Sequence, residues 1–517
     1  MDPIQLSIYA NRLSGICDEM GALLQLSAVS PNIKDRLDFS CALFDAAGQL
    51  CAQAAHIPVH LGSMAYAMAD LVAAKDWQPD DVLVVNDPYL GGTHLPDVTV
   101  VSPFFFAGQL LGFAVTRAHH ANIGAHSPGS MPVSKDLSEE GLVIPPSWLK
   151  RAGQWQIPLC RQLAGLGDAE GELPLDNQRF ADFLAQVSAC EAGVKRMVAE
   201  ANTSGVDAVL TAFEHLNAYA ERVARQCISE LPDGCYRFQD VMDDDGQGQQ
   251  DIPIEVALTI SGSNAHADFS GTAEQVAGNI NCPLSVAAAA VFYVFRCLMP
   301  ATAPACAGLF RPLTLFAPEG CLLNARRPAA VAAGNVETSS RVVDVVLGAL
   351  ATAAPERVPA ASQGTMNNVA MGQGGEQPWD YYETMAGGTG AHANGDGLSA
   401  VHSHMTNTLN TPIESVESHY PLRVLRYAIR QHSGGEGRFR GGHGIEREVL
   451  FLAPASVTLL TERRRVAPWG LAGGGHGASG ENLLNGQHLP PKVCIQSEPG
   501  DRLLVSTPGG GGWGMVK

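Results

Sequence analysis

The sequence predicts a mixed α/β (α+β) protein of several domains, with a C-terminal part that is rich in glycine and β-strands. Three observations support this class. The chain has 517 residues, which is too long for a single hydrophobic core. Runs with the helical spacing of apolar residues alternate with short, strand-like apolar runs. From about Gln363 onward, glycine is dense and short apolar runs lie between the glycines.

The N-terminal part is predicted to begin with a helix and to continue into strands. Apolar side chains recur at helical spacing over residues 4–30. Alternation predicts strands over 38–46 and 49–53, and a helix is predicted over 62–75. The segment 124–171 is rich in Gly, Pro and Ser, so we expect extended loops there.

The remaining elements divide the chain further. Helical periodicity interrupted near Ser204 and Gly205 predicts two consecutive helices. The other predicted elements are strands over 82–85, 235–241, 254–260, 455–460 and 503–506, and core helices over 283–299 and 340–354. We therefore predict an N-terminal domain over 1–175, a helical segment over 176–232, an α/β middle domain over 233–360 and a C-terminal domain over 361–517.

The composition argues against several classes of partner and compartment. The chain has 52 acidic and 33 basic residues, a formal charge of −19. Such a surface repels phosphate backbones and anionic lipid heads, so we expect no nucleic-acid or membrane partner. The sequence shows no secretion signal at its start, and its 12 cysteines contain no Cys-x-x-Cys pair. These features predict a reduced, cytoplasmic protein.

The most informative stretch is a predicted hairpin flanked by possible metal ligands. Strand-like runs over 98–106 and 109–117 are separated by Ala107-Gly108, which is typical of a tight turn. Asp97 and His119 lie equally far from Gly108, so the hairpin would place them opposite each other. Directly opposed residues have Cβ atoms about 5 Å apart, a distance that one metal ion can bridge.

His94 completes a candidate ligand set, because Gly91 and Gly92 allow its loop to fold towards the hairpin. Two imidazoles and one carboxylate leave coordination positions open, which is typical of a catalytic metal site. This ligand set suits one divalent transition metal ion: Zn, Mn, Fe or Co. The alternative is that the histidines only form hydrogen bonds at a strand end and that Asp-Pro is an ordinary turn.

The chain contains no nucleotide-binding signature of the phosphate-loop type. The sequence Gly-x-x-x-x-Gly-Lys-Ser/Thr is missing, and the glycine run Gly509–Gly512 has no lysine beside it. We expect this run to pack tightly or to dock on a partner. A Gly-x-Ser-x-Gly elbow is missing too, so the sequence offers no evident serine nucleophile.

The chain resembles the hydantoinase B/oxoprolinase family, which includes the B-type subunits of N-methylhydantoinase and 5-oxoprolinase. Similar blocks occur in the family's order from about residue 4 to residue 514. They include NDPYLGGTHLPDVTVVSP, RAHHANIG, EEGLVIPP, DFSGTAEQVAGNINCP, AAGNVETSSRVVDVVLGAL, HSHMTNTLNTP, TERRRVAPWGL and TPGGGGWG. The segment 161–180 departs from the family blocks, and it adjoins the loops near the candidate site.

The resemblance implies a function that is divided between two subunits. Family members usually act with a hydantoinase A-type subunit, which binds ATP-Mg and phosphorylates the amide oxygen of a cyclic amide. The present type of subunit then completes hydrolysis of the activated carbonyl and opens a hydantoin or 5-oxoproline ring. The resemblance therefore implies a hetero-oligomeric, ATP-dependent hydrolase of C–N bonds.

The resemblance also implies which residues hold the metal. Related carboxylases for acetone and acetophenone bind a metal through a His-x-x-Asp pair and a later histidine. Carried over to this sequence, those ligands are His94, Asp97 and His119, which would make the N-terminal part the metal-bearing one.

Other polar residues of the family blocks are candidates for the reaction or for the pocket. His120 or His60 is a candidate for proton transfer, and Glu140 of EEGLVIPP is a further catalytic candidate. Asn335 and Glu337 of AAGNVETS are candidates for lining the pocket. The alternative for these polar residues is hydrogen bonding that holds loops in place.

Two other functions are compatible with the sequence. The first is a subunit of a ketone carboxylase, in which the same metal site joins an activated enol to carbon dioxide. The carboxylase relatives are generally longer than this chain, which favours the hydrolase. The second is a non-catalytic scaffold, in which the metal braces the hairpin and the glycine-rich part binds a catalytic partner.

Overall fold

The computed structural model describes residues 1–54, 56–73, 75–167, 171–374 and 378–516. Small parts of the predicted helix over 62–75, of the loops over 124–171 and of the C-terminal domain lie outside the described residues. In the described part, the architecture is mixed α/β with several sheets, as the sequence predicts.

A seven-stranded sheet dominates the N-terminal part. Its strands are β1 (Phe39–Asp45), β2 (Leu50–Gln53), β3 (Val82–Val85), β4 (Asp97–Phe106), β5 (Gln109–His119), β6 (Ser147–Arg151) and β7 (Gln154–Trp155). The order across the sheet is β2-β1-β5-β4-β3-β6-β7, and all neighbours are antiparallel. The hairpin β4–β5 therefore lies at the centre of the sheet.

Helices cover both faces of this sheet. They are α1 (Pro3–Ser27), α2 (Pro31–Lys34), α3 (Pro58–Ala73), α4 (Ile157–Leu163), α5 (Gln178–Ser204) and α6 (Val206–Ser229). On one face, α1 and α5 pack against Phe104 and Ala118. On the other face, α3 packs against Val85 and Val101. Since apolar residues recur on both faces of β4 and β5, both helix layers find a hydrophobic surface.

One sequence prediction for this part is wrong. The segment 124–171 contains the strands β6 and β7 and the helix α4, whereas loops were expected throughout. The strand β6 pairs with β3, with Leu83 opposite Trp148. The prolines at 145 and 146 make the segment look loop-like, and only the partner strand provides the hydrogen bonds that extend the chain here.

The middle part combines one sheet with two buried helices. Its strands are β8 (Gly234–Asp244), β9 (Gln250–Ser261), β10 (Asn264–Asp268) and β11 (Leu313–Phe316), and its helices are α7 (Leu284–Cys297) and α8 (Ser339–Ala353). The order is β11-β10-β9-β8, with β10 and β11 parallel. The core around α7 and α8 also takes in Ile57, Met131 and Leu460. This core therefore joins the middle part to both ends of the chain.

The C-terminal part holds two further sheets and one short helix. The elements are β12 (Asn368–Gln373), β13 (Trp379–Glu383), α9 (Ile413–His419), β14 (Leu422–Ile429), β15 (Ile445–Phe451), β16 (Ala455–Leu460), β17 (Glu481–Leu484), β18 (Gln487–His488), β19 (Lys492–Ser497) and β20 (Arg502–Ser506). The sheet orders are β13-β12-β16-β19 and β14-β15-β20-β17-β18. A shared core lies between the two sheets.

The glycine run near the C-terminus packs against other backbone segments. A Cβ atom at Gly510 would lie 1.9 Å from the carbonyl oxygen of Thr389. The backbone N–H groups of Gly509 to Gly512 all donate to backbone carbonyls elsewhere in the chain. Because these donors already have partners, the run does not form a phosphate cradle, and tight packing explains the glycines.

The described residues contain no helix that is long and apolar enough to cross a membrane.

Candidate metal centre

The hairpin β4–β5 places Asp97 directly opposite His119, which confirms the predicted pairing. A two-residue turn alone would pair Asp97 with Ala118. A β-bulge at Phe104–Phe105 shifts the later pairs by one residue. Since a shift of one residue exchanges the two faces of a strand, the bulge decides that a histidine faces the Asp97 carboxylate.

His94 reaches the hairpin from the preceding loop. Gly91 has a φ of +105°, a conformation that favours glycine. A Cβ atom at Gly92 would lie 2.3 Å from the carbonyl oxygen of Asn86, so the loop folds too closely for any other residue. This tight loop brings the His94 ring within 5.2 Å of the His119 ring, measured between centroids.

Ligand atoms of His94, Asp97 and His119 all lie within 4.8 Å of one another, and all three side chains are buried. His94 Nε2, His119 Nε2 and Asp97 Oδ1 form no hydrogen bond. Buried polar atoms without partners are rare in folded proteins, and three of them converge here. Two imidazole nitrogens and a carboxylate oxygen fit a divalent transition metal ion.

The two histidine rings are held in place by groups outside the cluster. His94 Nδ1 lies 3.2 Å from the carbonyl oxygen of Ala332, which can accept its proton. His119 Nδ1 lies 3.2 Å from the side-chain amide of Asn32, a group that can present either its oxygen or its NH2. The His119 ring also stacks on Tyr382, with centroids 4.7 Å apart. These contacts leave the Nε2 atoms facing the centre of the cluster.

Two donors fix the carboxylate of Asp97. The Thr93 hydroxyl donates to Oδ2 at 2.6 Å, and the Asn335 amide donates to the same oxygen at 3.1 Å. The other oxygen, Oδ1, lies 3.2 Å from His60 Nε2. The carboxylate is therefore oriented through Oδ2 by two hydrogen bonds, and Oδ1 faces His60.

The protonation states suit metal binding. Burial alone would raise the pKa of Asp97, but His60 and His94 hold that pKa well below its usual range. Burial and the neighbouring His94 hold the pKa of His119 well below its usual range, so its imidazole is neutral near pH 7. Burial opposes protonation of His94, whereas Asp97 raises its pKa above the usual value. A metal ion would thus compete with one proton, at His94.

His60 lies at the start of α3 and lines the same cavity. Helix α3 begins at Pro58, four residues earlier than predicted, so His60 is helical rather than part of a loop. Its Nε2 lies 4.0 Å from Asp38, a cavity-lining carboxylate that the sequence did not single out. The only sequence signal for Asp38 is its place at the start of the strand next to β5.

Glu140 does not reach the ligand atoms of the cluster but holds the loop behind it. Its Oε1 accepts hydrogen bonds from the backbone of Val331 at 2.8 Å and of Ala332 at 2.9 Å. The Ser134 hydroxyl donates to the same oxygen. Burial raises the pKa of Glu140 to about 7. Because Ala332 bonds to His94, Glu140 acts on the cluster through this loop.

His120 lies on the other side of the sheet from the cluster. Its Nε2 is 2.9 Å from Gln186 Oε1 of α5, and its ring centroid is 4.2 Å from that of Phe183. Consecutive residues of an extended chain point to opposite faces. The structure therefore brings His60 to the cluster with the three ligands, and it does not bring His120 there.

Asn335 and Glu337 lie in a π-helical turn, Gly334–Thr338, that leads into α8. Asn335 lines the cavity, whereas Glu337 accepts hydrogen bonds from the Met366 backbone and the Asn368 amide. The Asn368 oxygen in turn accepts from the Tyr382 hydroxyl. Glu337 thus supports the aromatic ring that stacks on His119, a link between distant segments that sequence spacing does not reveal.

The remaining wall of the cavity comes from the C-terminal part. It includes Tyr382, Thr384, Met405, Thr406 and Thr408. The cavity itself measures about 20 Å³, roughly the room that one water molecule needs. The centre therefore lies where the N-terminal, middle and C-terminal parts meet.

A family model described as hydantoinase B/oxoprolinase matches residues 2–516. The chain belongs to this family. A family member, 5-oxoprolinase from Dictyostelium discoideum, is 38% identical over 532 residues, which cover 100% of this chain and 40% of that protein. The chain thus spans about two fifths of the length of this relative.

Solved structures share the fold. The ATP-dependent caprolactamase from Pseudomonas jessenii aligns with a TM-score of 0.91 and 28% identity, covering 100% of this chain and 91% of that chain. Acetone carboxylase aligns with a TM-score of 0.86 and 19% identity, covering 99% and 76%, respectively. The second likeness concerns the fold alone. The similarity to caprolactamase confirms the mixed α/β, multidomain fold that the sequence predicts.

Proposed function

We propose that this chain is the metal-bearing subunit of an ATP-dependent hydrolase that opens cyclic amides such as hydantoins or 5-oxoproline. The observation that carries the proposal is the convergence of the buried side chains of His94, Asp97 and His119. Family membership and the similarity to 5-oxoprolinase and caprolactamase support the substrate class.

A partner would perform the ATP-dependent step. The matched 5-oxoprolinase has more than half of its length outside the region that aligns with this chain. We propose that a hydantoinase A-type subunit supplies the ATP-Mg site and phosphorylates the amide oxygen. In the described residues, the glycine run that most resembles a phosphate loop has its N–H groups engaged elsewhere, which agrees with ATP binding on another chain.

In this proposal, the three ligands hold one divalent transition metal ion. Such an ion supplies Lewis-acid polarisation of a carbonyl oxygen. Thr93 and Asn335 orient the Asp97 carboxylate, and Glu140 positions His94 through the Ala332 carbonyl. The fully buried surroundings exclude bulk water and so strengthen each electrostatic contact.

His60 is the proposed proton-transfer residue. It lines the cavity, and its Nε2 lies 3.2 Å from Asp97 and 4.0 Å from Asp38. Ring opening needs a proton on the departing ring nitrogen, and an imidazole N–H can donate one. His60 Nε2 would hold that proton on the wall of the cavity.

Metal analysis of the purified protein tests the proposal. We expect near-stoichiometric transition metal in the wild type, and loss of both the metal and ATP-dependent ring opening in His94→Ala and Asp97→Ala. Each variant should still pair with the partner subunit. Full ring-opening activity in a metal-free variant would contradict the catalytic metal and favour a scaffold.

A turnover assay distinguishes the proposed hydrolase from the alternative, a ketone carboxylase. Turnover of a ketone that requires bicarbonate, without release of ring-opened amide, would replace the hydrolase proposal.

A further inference from the structure

Asn335 lines the cavity and carries a buried acceptor without a hydrogen-bond partner among the described residues. Its side chain is buried and lines the cavity beside Asp97. The NH2 group donates to Asp97 Oδ2 at 3.1 Å. Because a carboxylate can only accept, this contact settles which end of the amide is which. The oxygen, Oδ1, is buried and has no hydrogen-bond partner.

The hydroxyl groups of the wall already have partners. The Thr384 and Thr408 hydroxyls lie 2.9 Å apart, and Arg36 donates to Thr384. The Tyr382 hydroxyl donates to Asn368. Among the described residues that line the cavity, the fully buried side-chain atoms without a hydrogen bond are Asp97 Oδ1, His119 Nε2 and Asn335 Oδ1, of which the first two belong to proposed metal ligands.

We propose that Asn335 Oδ1 accepts a hydrogen bond from the scissile ring nitrogen whenever that nitrogen carries a proton, and thereby favours N–H amides over N-methyl amides and lactones. The nitrogen carries this proton in the unreacted amide, and again once water has added to the O-phosphorylated carbon and has given a proton to the nitrogen. The inference rests on the proposed function and deepens it. A fixed carbonyl-type oxygen accepts and never donates, so it favours a ring nitrogen that carries a proton. A ring oxygen or an N-methyl group at this position would leave Oδ1 buried without a partner, which is strongly unfavourable.

The ring needs more room than the cavity provides, because about 20 Å³ holds roughly one water molecule. The wall formed by Met405, Thr406 and Thr408 lies in the stretch 402–411, which contains no helix or strand. By contrast, Asn335 is fixed by its helical turn and by its bond to Asp97. We therefore expect the ring to displace the threonine wall and to meet Asn335 in its present position.

The test compares a lactam with its N-methyl analogue, using the metal-loaded enzyme together with its partner subunit. N-methylation also changes how the ring is activated. The decisive quantity is therefore the ratio of kcat/KM for the lactam to kcat/KM for its N-methyl analogue, compared between wild type and Asn335→Leu. We expect the preference for the N–H ring to fall at least tenfold in the variant. Met366→Leu is the control, since this residue lines the cavity without a polar group; its ratio should stay unchanged. An unchanged ratio in Asn335→Leu would overturn the inference.

A second measurement covers the case in which Asn335→Leu loses its metal. A lactone of the same ring replaces the N–H by an oxygen, so it should inhibit the wild type at least tenfold more weakly than the matching lactam. Equal inhibition would overturn the role of Asn335 while leaving the ring-opening function intact. If neither lactams nor hydantoins bind or react, the proposed function itself fails.

Discussion

The hairpin β4–β5 and the segment 402–411 face the same cavity, but different interactions hold them in place. Asp97 and His119 sit in a continuous ladder at the centre of a seven-stranded sheet. The segment 402–411 has no helix or strand, and His404 within it adopts a φ of +58°, which is uncommon for histidine.

The hairpin and the segment 402–411 also differ in their hydrogen bonding. Both ring nitrogens of His402 are buried without a hydrogen bond. A few contacts connect the segment to its surroundings, such as the Leu409 N–H donating to the Arg36 carbonyl and the Asn410 amide donating to Thr384. The candidate metal ligands of the hairpin therefore lie in a continuous strand ladder, whereas the wall that the proposed substrate would displace is held by individual hydrogen bonds outside any ladder.

The largest expected effect concerns two adjacent histidines on opposite faces of the hairpin. His119→Phe should abolish metal binding and turnover, because it removes a ligand nitrogen. His120→Phe should keep the metal and most of the activity, since His120 contacts Gln186 and Phe183 of α5. We expect it to cost about 1–2 kcal/mol in stability through the unpaired Gln186 oxygen. Metal content and thermal unfolding of the two variants check this, and metal loss in both would show that the two faces are not independent.

A reversible crosslink tests whether the segment 402–411 must move for turnover. The side-chain oxygens of Thr384 and Thr408 lie 2.9 Å apart, so cysteines at both positions should form a disulfide. Oxidation should lower turnover by about tenfold or more and slow the removal of metal by a chelator, and a reductant should restore both. The single variants under the same oxidant are the controls. Full activity of the oxidised double variant would mean that the substrate enters elsewhere.

The rigidity of the hairpin depends on close packing at the edge of its bulge. A Cβ atom at Gly112 would lie 2.1 Å from the carbonyl oxygen of Phe44 on β1. We expect Gly112→Val to destabilise the protein by about 3 kcal/mol and to weaken metal binding through the displaced ladder. Gly15→Ala is the matched control, because a Cβ atom at Gly15 in α1 meets no atom within 4 Å. Similar unfolding midpoints for Gly112→Val and Gly15→Ala would show that the strand pairing around Gly112 can adjust to a side chain at this position.

The loop that positions His94 through the Ala332 carbonyl is held by Glu140. The pH dependence of protein stability tests how Glu140 contributes to holding this loop. Burial raises the pKa of Glu140 to about 7 in the folded protein, above the value of about 4.3 for an unfolded chain. The folded state therefore favours the protonated form, so this stabilisation is complete below about pH 4 and is lost as the pH rises through about 7.

Glu140→Gln keeps an acceptor oxygen for the Val331 and Ala332 N–H groups but removes the ionisation. The variant should be more stable than the wild type above pH 7, by up to about 3 kcal/mol, and the difference should shrink towards pH 4. Thermal unfolding across this pH range measures it, with the exposed Glu139→Gln as control. A difference that does not vary with pH would rule out titration of Glu140 as its cause.

Much of the site could be predicted because its central part is local in sequence. The turn at Gly108 lies between Asp97 and His119, and the tight Gly91-Gly92 loop connects directly to His94. Short-range geometry of this kind depends on alternation, turn residues and strand pairing. The helices α1, α5, α6, α7 and α8 were predictable for the same reason, since their apolar periodicity is long and uninterrupted.

The sequence missed residues whose role depends on contacts between distant segments. Tyr382 stacks on His119 from the C-terminal part, and Asp38 joins the cavity from β1's edge. The strand β6 was missed because its pairing partner, rather than its composition, makes it extended.

The sequence by itself determined the family, through the resemblance of its blocks, together with the helices of long apolar periodicity and the grouping of three candidate ligands around one hairpin. The helices and the hairpin follow from interactions over a few residues, which spacing reports directly. Only the tertiary structure decided that His60 faces the ligands while His120 packs against α5, and that Asn335 brings its amide to Asp97 across more than 200 positions of chain. Such contacts depend on the packing of three parts of the molecule around one cavity, and no local pattern encodes that arrangement.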